Sequence, residues 1–310
     1  MTKVLIATDK PFAPVAVKGI RQVVEDAGME LALLEKYTGK DQLLDAVKDA
    51  DALIIRSDII DAEVFDAARQ LKIVVRAGAG YDNVDLRAAT AHGVCVMNTP
   101  GQNANAVAEL VFGLLVYGLR GFFSGASGAE LKGKKLGILA YGNVGRNVAR
   151  IARGFGMEIY AFDPYAPAQL MESDNVQAVA SVEELFSTCR IVSLHIPATA
   201  ETKNSINHAL LSLMPPGAIV VNTARKEVVD EASLAGIFDK RPDFKYLTDV
   251  KPDIAAELAA RYPDRYFATP KKTGAQTAEA NINAGIAAAR QIVDFLCNGN
   301  TQFKVNNGDV

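Results

Sequence analysis

The chain has no surplus of positive charge, few cysteines and no long apolar run, and each shortage removes a class of function. Lysine and arginine number 33 against 36 aspartate and glutamate, a net charge of -3, so the composition does not favour binding to nucleic acid. The three cysteines, Cys95, Cys189 and Cys297, are odd in number, far apart and set among apolar residues. They suggest neither a disulfide framework nor a zinc site, and small buried side chains account for them. No segment approaches the roughly 18 uncharged apolar residues of a membrane span, and no internal repeat or low-complexity stretch stands out. The apolar run after Met1 is one short strand-like stretch, without the longer apolar region and small-residue cleavage site of a secretory signal. A cytoplasmic protein without a membrane partner is the expectation.

What is present is an ordinary globular composition, 49% hydrophobic and 22% charged over 310 residues, which predicts two domains of roughly 100–200 residues with a cleft between them. Short β-branched runs at 4–7, 31–34, 52–56, 72–75 and 95–97 alternate with longer helical patterns, the rhythm of βαβ units and a parallel sheet. Pro100-Gly101 breaks that pattern. Residues 104–120 then place Val107, Leu110, Val111, Leu114 and Leu115 at helical spacing, long enough to pass from one domain to another. A second βα series runs from 135 to about 268, with strand-like runs at 136–140, 158–162, 191–194, 219–222 and 246–250. An alanine-rich helical pattern at 275–296 could return the chain to the first domain. The fold class is therefore α/β, with two Rossmann-like domains built on parallel sheets and the first domain discontinuous.

The second series opens on Tyr141-Gly142-Asn143-Val144-Gly145, which follows a strand and starts a helix, as a dinucleotide-binding loop requires. Gly142 would let the backbone approach a pyrophosphate, Gly145 would let helix and strand pack closely, and the helix N–H groups would face the anion. Ala140 replaces the first glycine of that fingerprint. The next strand ends in Asp163-Pro164, near the ~20-residue distance at which a carboxylate meets the ribose hydroxyls. A carboxylate there repels a 2′-phosphate, which favours NAD over NADP; a solvated turn is the plainer alternative.

Three further strand ends carry polar clusters: Ser193 to Thr199, Val221 to Arg225, and Leu247 to Val250. Arg225 could hold a carboxylate through two parallel hydrogen bonds and polarise a neighbouring carbonyl, which suits hydride transfer at C2. Lys271 and Lys272, in a turn from strand to helix, offer two ammonium groups, one of which could act as acid or base; a solvated turn is again the alternative. In the first domain, Arg56-Ser57 and the small-residue turn Ala77-Gly78-Ala79-Gly80 after Arg76 could bind an anion through exposed N–H groups.

Taken together these stretches resemble the D-2-hydroxyacid dehydrogenase family along nearly the whole chain. The resemblance rests on residues 76–85, 98–109, 131–137, the Gly142/Gly145 loop, 193–199, 222–230 and the Thr-Pro turn before Gly274. It implies a substrate domain from 1–100 and 285–310, an NAD-binding domain from 101–284, and a homodimer through the NAD-binding domain. It also implies that Arg225 binds the substrate carboxylate, that Asp249 holds the nicotinamide carboxamide, and that His195, Pro197, Thr202, Thr223, Ala224 and Arg225 itself line the cofactor. Asn103 joins the substrate set with Arg56, or Arg76, for a phosphate.

The family's histidine and glutamate pair is missing. Lys271-Lys272 stands at the histidine, and the glutamate falls near Asp253-Ile254, a departure similar to a short-form, lysine-using subgroup that oxidises 3-phospho-D-glycerate to 3-phosphohydroxypyruvate at the entry to serine synthesis. Losing both is chemically coherent, because an ammonium needs no carboxylate to select a ring tautomer. The alternatives are a reductase of glyoxylate or hydroxypyruvate from the same family, and a non-catalytic NAD-sensing protein.

Overall fold

The structure, a computed structural model, describes residues 1–306. The chain forms two compact units, Met1–Asn103 with the segment from Thr277 onward, and Ala104–Gln276. The last four residues of the segment expected at 285–310 lie outside the described residues.

The first unit is a five-stranded sheet of β1 (Lys3–Thr8), β2 (Glu30–Glu35), β3 (Ala52–Ile55), β4 (Ile73–Arg76) and β5 (Cys95–Asn98). Their order is β2-β1-β3-β4-β5 and every pairing is parallel. A parallel sheet covered by helices on both faces needs strands that are apolar throughout, and all four residues of β3 are buried. Successive side chains feed opposite faces: Ile6, Ile54 and Val75 pack on one side, Leu5, Leu53 and Val74 on the other.

Helix Ala278–Asn298 belongs wholly to this unit, so the break falls at Thr277, ahead of residue 285. Thr277 caps the helix by accepting the Ala280 N–H, and Gly299, at φ +69, ends it in the left-handed conformation that glycine adopts at little cost. The helix lies against helix Pro14–Asp26 so closely that a Cβ on Gly285 would come 2.9 Å from Ile20.

The second unit is a seven-stranded parallel sheet: β6 (Lys135–Leu139), β7 (Glu158–Phe162), β8 (Gln177–Ala178), β9 (Ile191–Leu194), β10 (Ile219–Asn222), β11 (Lys245–Thr248) and β12 (Tyr266–Ala268). The order is β12-β11-β10-β9-β6-β7-β8. From β6 the chain lays strands to one side, then returns and lays β9 to β12 on the other. The order therefore reverses between β6 and β9, and ligands of open α/β sheets bind outside the strand carboxyl ends at such a reversal. Helix Ala104–Leu119 packs on this sheet, with Gly118 pressed against Leu247. No helix among the described residues is long and apolar enough to cross a membrane.

Ala140, just after β6, sits at φ +77, in the left-handed region that costs a residue with a β-carbon about 1–2 kcal/mol. Replacing it with glycine relieves that strain but adds freedom to the unfolded chain worth about 0.4–1 kcal/mol. Ala140→Gly is expected to stabilise the protein by about 0.5–1 kcal/mol, a rise in Tm of roughly 1–4 °C in thermal denaturation.

Candidate active site

The loop after β6 is shaped by two glycines that do different work. A Cβ on Gly145 would lie 2.3 Å from the Ala140 carbonyl oxygen, so only glycine allows helix Asn143–Gly154 to start this close to β6. Gly142, the residue before the helix, has open space around its missing Cβ; that is room for an anion at the positive end of a twelve-residue helix. Asn143 and Val144 form the first turn. The Tyr141 side chain, by contrast, is buried, and its hydroxyl donates to Asp174 Oδ2 at 3.0 Å. Only Tyr141's main chain faces the turn.

Asp163, after β7, accepts the Tyr141 N–H at 2.7 Å, tying the end of β7 to the glycine loop. Its other oxygen accepts the N–H groups of Tyr165 and Ala166 at 2.8 and 3.2 Å. A carboxylate offers about four lone-pair sites, so one remains beyond these three bonds.

At the end of β9, Ser193 and His195 Nε2 are 2.9 Å apart, while the His195 N–H donates to the Leu139 carbonyl. Desolvation pushes the imidazole down to about 3, so it is neutral at physiological pH. Since the unfolded histidine titrates near 6.5, the unfolded chain binds a proton that the folded chain refuses once the pH falls below 6.5 toward 3. Stability therefore falls with decreasing pH in that window, by up to about 1.4 kcal/mol per pH unit from this group. Chemical denaturation from pH 7 to 4.5 is expected to show a shallower pH slope for His195→Asn than for the natural chain. Beyond His195, Pro197 and Thr202 come together: Thr202 Oγ1 donates to the Pro197 carbonyl at 2.6 Å.

Asn222 ends β10 fully buried, and its side chain builds the next turn. Oδ1 accepts the Ala224 N–H at 2.9 Å, while Nδ2 donates to the Arg225 carbonyl at 2.9 Å and the Tyr246 hydroxyl at 3.1 Å. Arg225 is thereby held in extended backbone, half-buried, with Nη1 donating to the Ala224 carbonyl. Sequence reasoning gave Asn222 no role, although a buried asparagine closing an apolar strand was the available signal. Thr223 Oγ1 is buried without a hydrogen-bond partner. Such an orphan costs about 1–3 kcal/mol unless something outside the chain meets it. With the open position at Gly142 and the close approach at Gly145, it shows that these residues fit a dinucleotide.

Asp249 follows β11 and is buried. Its carboxylate accepts four hydrogen bonds, all from Thr269, Thr273 and Gly274. Lys271 and Lys272 stand exposed between those residues. Asp253, where the family glutamate would fall, is not directed at the lysine turn: it pairs with Lys226 at 2.5 Å, which raises the Lys226 ammonium above its ordinary value.

In the first unit, the Arg76 guanidinium lies over the turn, so close that a Cβ on Gly78 would fall 1.5 Å from Nη1; Gly78 also has φ +150. Asn98 Nδ2 donates to the Ala79 carbonyl at 2.6 Å, and Ala79 is exposed while Ala77 and Gly80 are half-buried. Arg56 is braced: Nη1 donates to the carbonyls of Lys10 and Pro11, Nη2 donates to Asn281, and the guanidinium lies 5.2 Å from the Phe12 ring centre. Ser57 is exposed, and Asn103 immediately precedes the Ala104–Leu119 helix. No cluster of three metal-binding side chains occurs among the described residues.

A glycine loop, a carboxylate at the next strand end and polar strand termini along one edge of a doubly wound sheet define a dinucleotide-binding protein. Residues 121–270 match the family model described as D-isomer specific 2-hydroxyacid dehydrogenase, NAD binding domain. The chain is 34% identical to a hydroxypyruvate reductase of Thermotoga maritima over 86% of this chain and 92% of that protein. It is also 34% identical to a D-3-phosphoglycerate dehydrogenase of Methanocaldococcus jannaschii over 96% of this chain, but it spans only 58% of that longer relative. Among solved structures, an NAD+-bound 3-phosphoglycerate dehydrogenase of Entamoeba histolytica is 47% identical, with a TM-score of 0.85 over 98% of both chains. The chain belongs to the D-isomer specific 2-hydroxyacid dehydrogenase family, and NAD is its cofactor.

Proposed function

We propose that the protein oxidises 3-phospho-D-glycerate to 3-phosphohydroxypyruvate with NAD, the entry step of serine synthesis, as a cytoplasmic homodimer. The observation that carries this reading is the 47% identity, over 98% of both chains, to the Entamoeba 3-phosphoglycerate dehydrogenase. Support for a dimer through the NAD-binding unit comes from Phe122 and Phe123. Both take left-handed backbone, and Phe123 is 66% exposed beside Tyr117; strain that displays an aromatic suits an interface.

In this reading Gly142, Asn143, Val144 and Gly145 hold the pyrophosphate, with Tyr141 contributing main chain, and Asp163 accepts one ribose hydroxyl. His195, Pro197, Thr202, Thr223 and Ala224 line the cofactor, and Asp249 turns Oδ2, which accepts a single hydrogen bond from the turn, to the carboxamide. Bound NAD+ supplies the hydride acceptor. Arg225 pairs with the substrate carboxylate, while Ala77 to Gly80, Ser57 and Asn103 give further hydrogen bonds. Arg76, over that turn, and Arg56 supply charge for the phosphate. Lys271 or Lys272, as the neutral amine, takes the C2 hydroxyl proton as the hydride leaves C2 and the carbonyl forms.

NADH formation with NAD and 3-phosphoglycerate, and its loss with 3-phosphohydroxypyruvate, hydroxypyruvate and glyoxylate, tests the reading. Phosphate-dependent turnover supports it. Turnover with the unphosphorylated acids alone, in line with the Thermotoga relative, replaces the substrate, and NAD binding without any turnover makes the protein a sensor.

A further inference from the structure

Four hydrogen bonds converge on one buried carboxylate beneath the two lysines. Asp249 Oδ1 accepts the Thr269 hydroxyl at 2.7 Å, the Thr273 N–H at 2.8 Å and the Thr273 hydroxyl at 2.9 Å, and Oδ2 accepts the Gly274 N–H at 2.8 Å. The donors bracket the segment Thr269-Pro270-Lys271-Lys272-Thr273-Gly274 on both sides. The bracket is tight: a Cβ on Gly274 would come 3.0 Å from Oδ2 and 3.3 Å from Val107. At its start, the Thr269 N–H continues the β11 to β12 pairing by donating to the Thr248 carbonyl. A charge with 2% exposure needs such donors. Here every one of them comes from the lysine turn.

We propose that Asp249 is a positioning residue for the acid/base lysine, acting through Thr269 and Thr273 rather than by touching the amine. This rests on the functional reading above and goes beyond a contact between Asp249 and the cofactor. Asp253 is paired with Lys226, and so the task of aiming the acid/base group, which a glutamate performs for a histidine, passes to a carboxylate under the turn. An ammonium presents no ring to orient; what must be fixed is the backbone from which it extends. The staple from Asp249 fixes that backbone relative to Arg225, because the Asp249 N–H donates to the carbonyl of Asn222, whose side chain holds the Arg225 turn. A misplacement of about 1 Å in such a group lowers turnover by about 100-fold.

The test uses Thr269→Val and Thr273→Val, which keep side-chain shape and main-chain donors while removing one hydroxyl each, with Thr273→Ser as the conservative rescue. Each valine variant is expected to lower kcat roughly 10- to 100-fold and to alter the pH profile of kcat, with the NAD dissociation constant within about twofold of the natural chain. Thr273→Ser is expected to restore kcat to within about threefold. In Asp249→Asn, amide exchange across residues 269–274 should accelerate by at least 10-fold, because the carboxamide offers a donor to the Gly274 N–H. Wild-type kcat in both valine variants overturns the proposal, as does a loss of kcat matched by an equal loss of NAD affinity, or unchanged exchange in Asp249→Asn. A natural chain inactive on every 2-hydroxy acid overturns the functional reading, and the positioning role with it. An active natural chain beside unaffected variants overturns positioning alone.

Discussion

Arg225→Gln is expected to lower kcat/KM by about 1,000-fold while the NAD dissociation constant changes by less than about threefold. Asn222 holds the backbone of Arg225 through the carbonyl, so the glutamine variant keeps the turn and loses only the guanidinium. That loss removes a charge-assisted, two-point contact with the substrate carboxylate and the positive charge beside the carbon that becomes a carbonyl, together about 4 kcal/mol. Arg225→Lys should recover part of it, because an ammonium keeps the charge without the planar fork. Steady-state kinetics with fluorescence titration of NAD separates the two parameters. A drop below about 10-fold for the glutamine variant would remove Arg225 from the reaction.

The second large effect separates two adjacent amines. One of Lys271→Ala and Lys272→Ala is expected to lose about 100- to 10,000-fold in kcat, the range over which positioned general acids and bases contribute, and the other to stay within about fivefold. Tm measured on each variant separates a loss of folding from the loss of the amine. The active lysine is then the one whose loss lowers kcat while the NAD dissociation constant is unchanged. Equal, small effects from both substitutions would show that the turn is a solvated surface feature.

The α/β rhythm was legible because parallel strands buried on both faces are apolar runs, and the glycine loop because two steric requirements fall at a fixed spacing. What escaped the sequence depends on contacts between distant residues. β8 is two exposed residues and leaves no pattern. Ala140 conceals its left-handed backbone behind a β-carbon, and only its place at the first glycine of the fingerprint hints at it. Arg56 reads as a cation ready for a phosphate, yet Asn281, far along the chain, takes one of its donors. Tyr141 reads as part of the loop, yet Asp174 draws its ring into the core. Asp249 reads as a ligand contact at a strand end, while its carboxylate bonds run to a turn 20 to 25 residues later.

The placement of helix Ala278–Asn298 also governs how the molecule is made. The cofactor-binding unit is one uninterrupted stretch, so it can be complete as soon as residue 276 has left the ribosome. The first unit, although synthesised earlier, must wait with Phe12 and Ile20 uncovered until Gly285 and its neighbours arrive to cover them. During synthesis the later-encoded half can mature first. A chain shortened by its last thirty residues would keep the second core and leave the first one open to proteases and self-association.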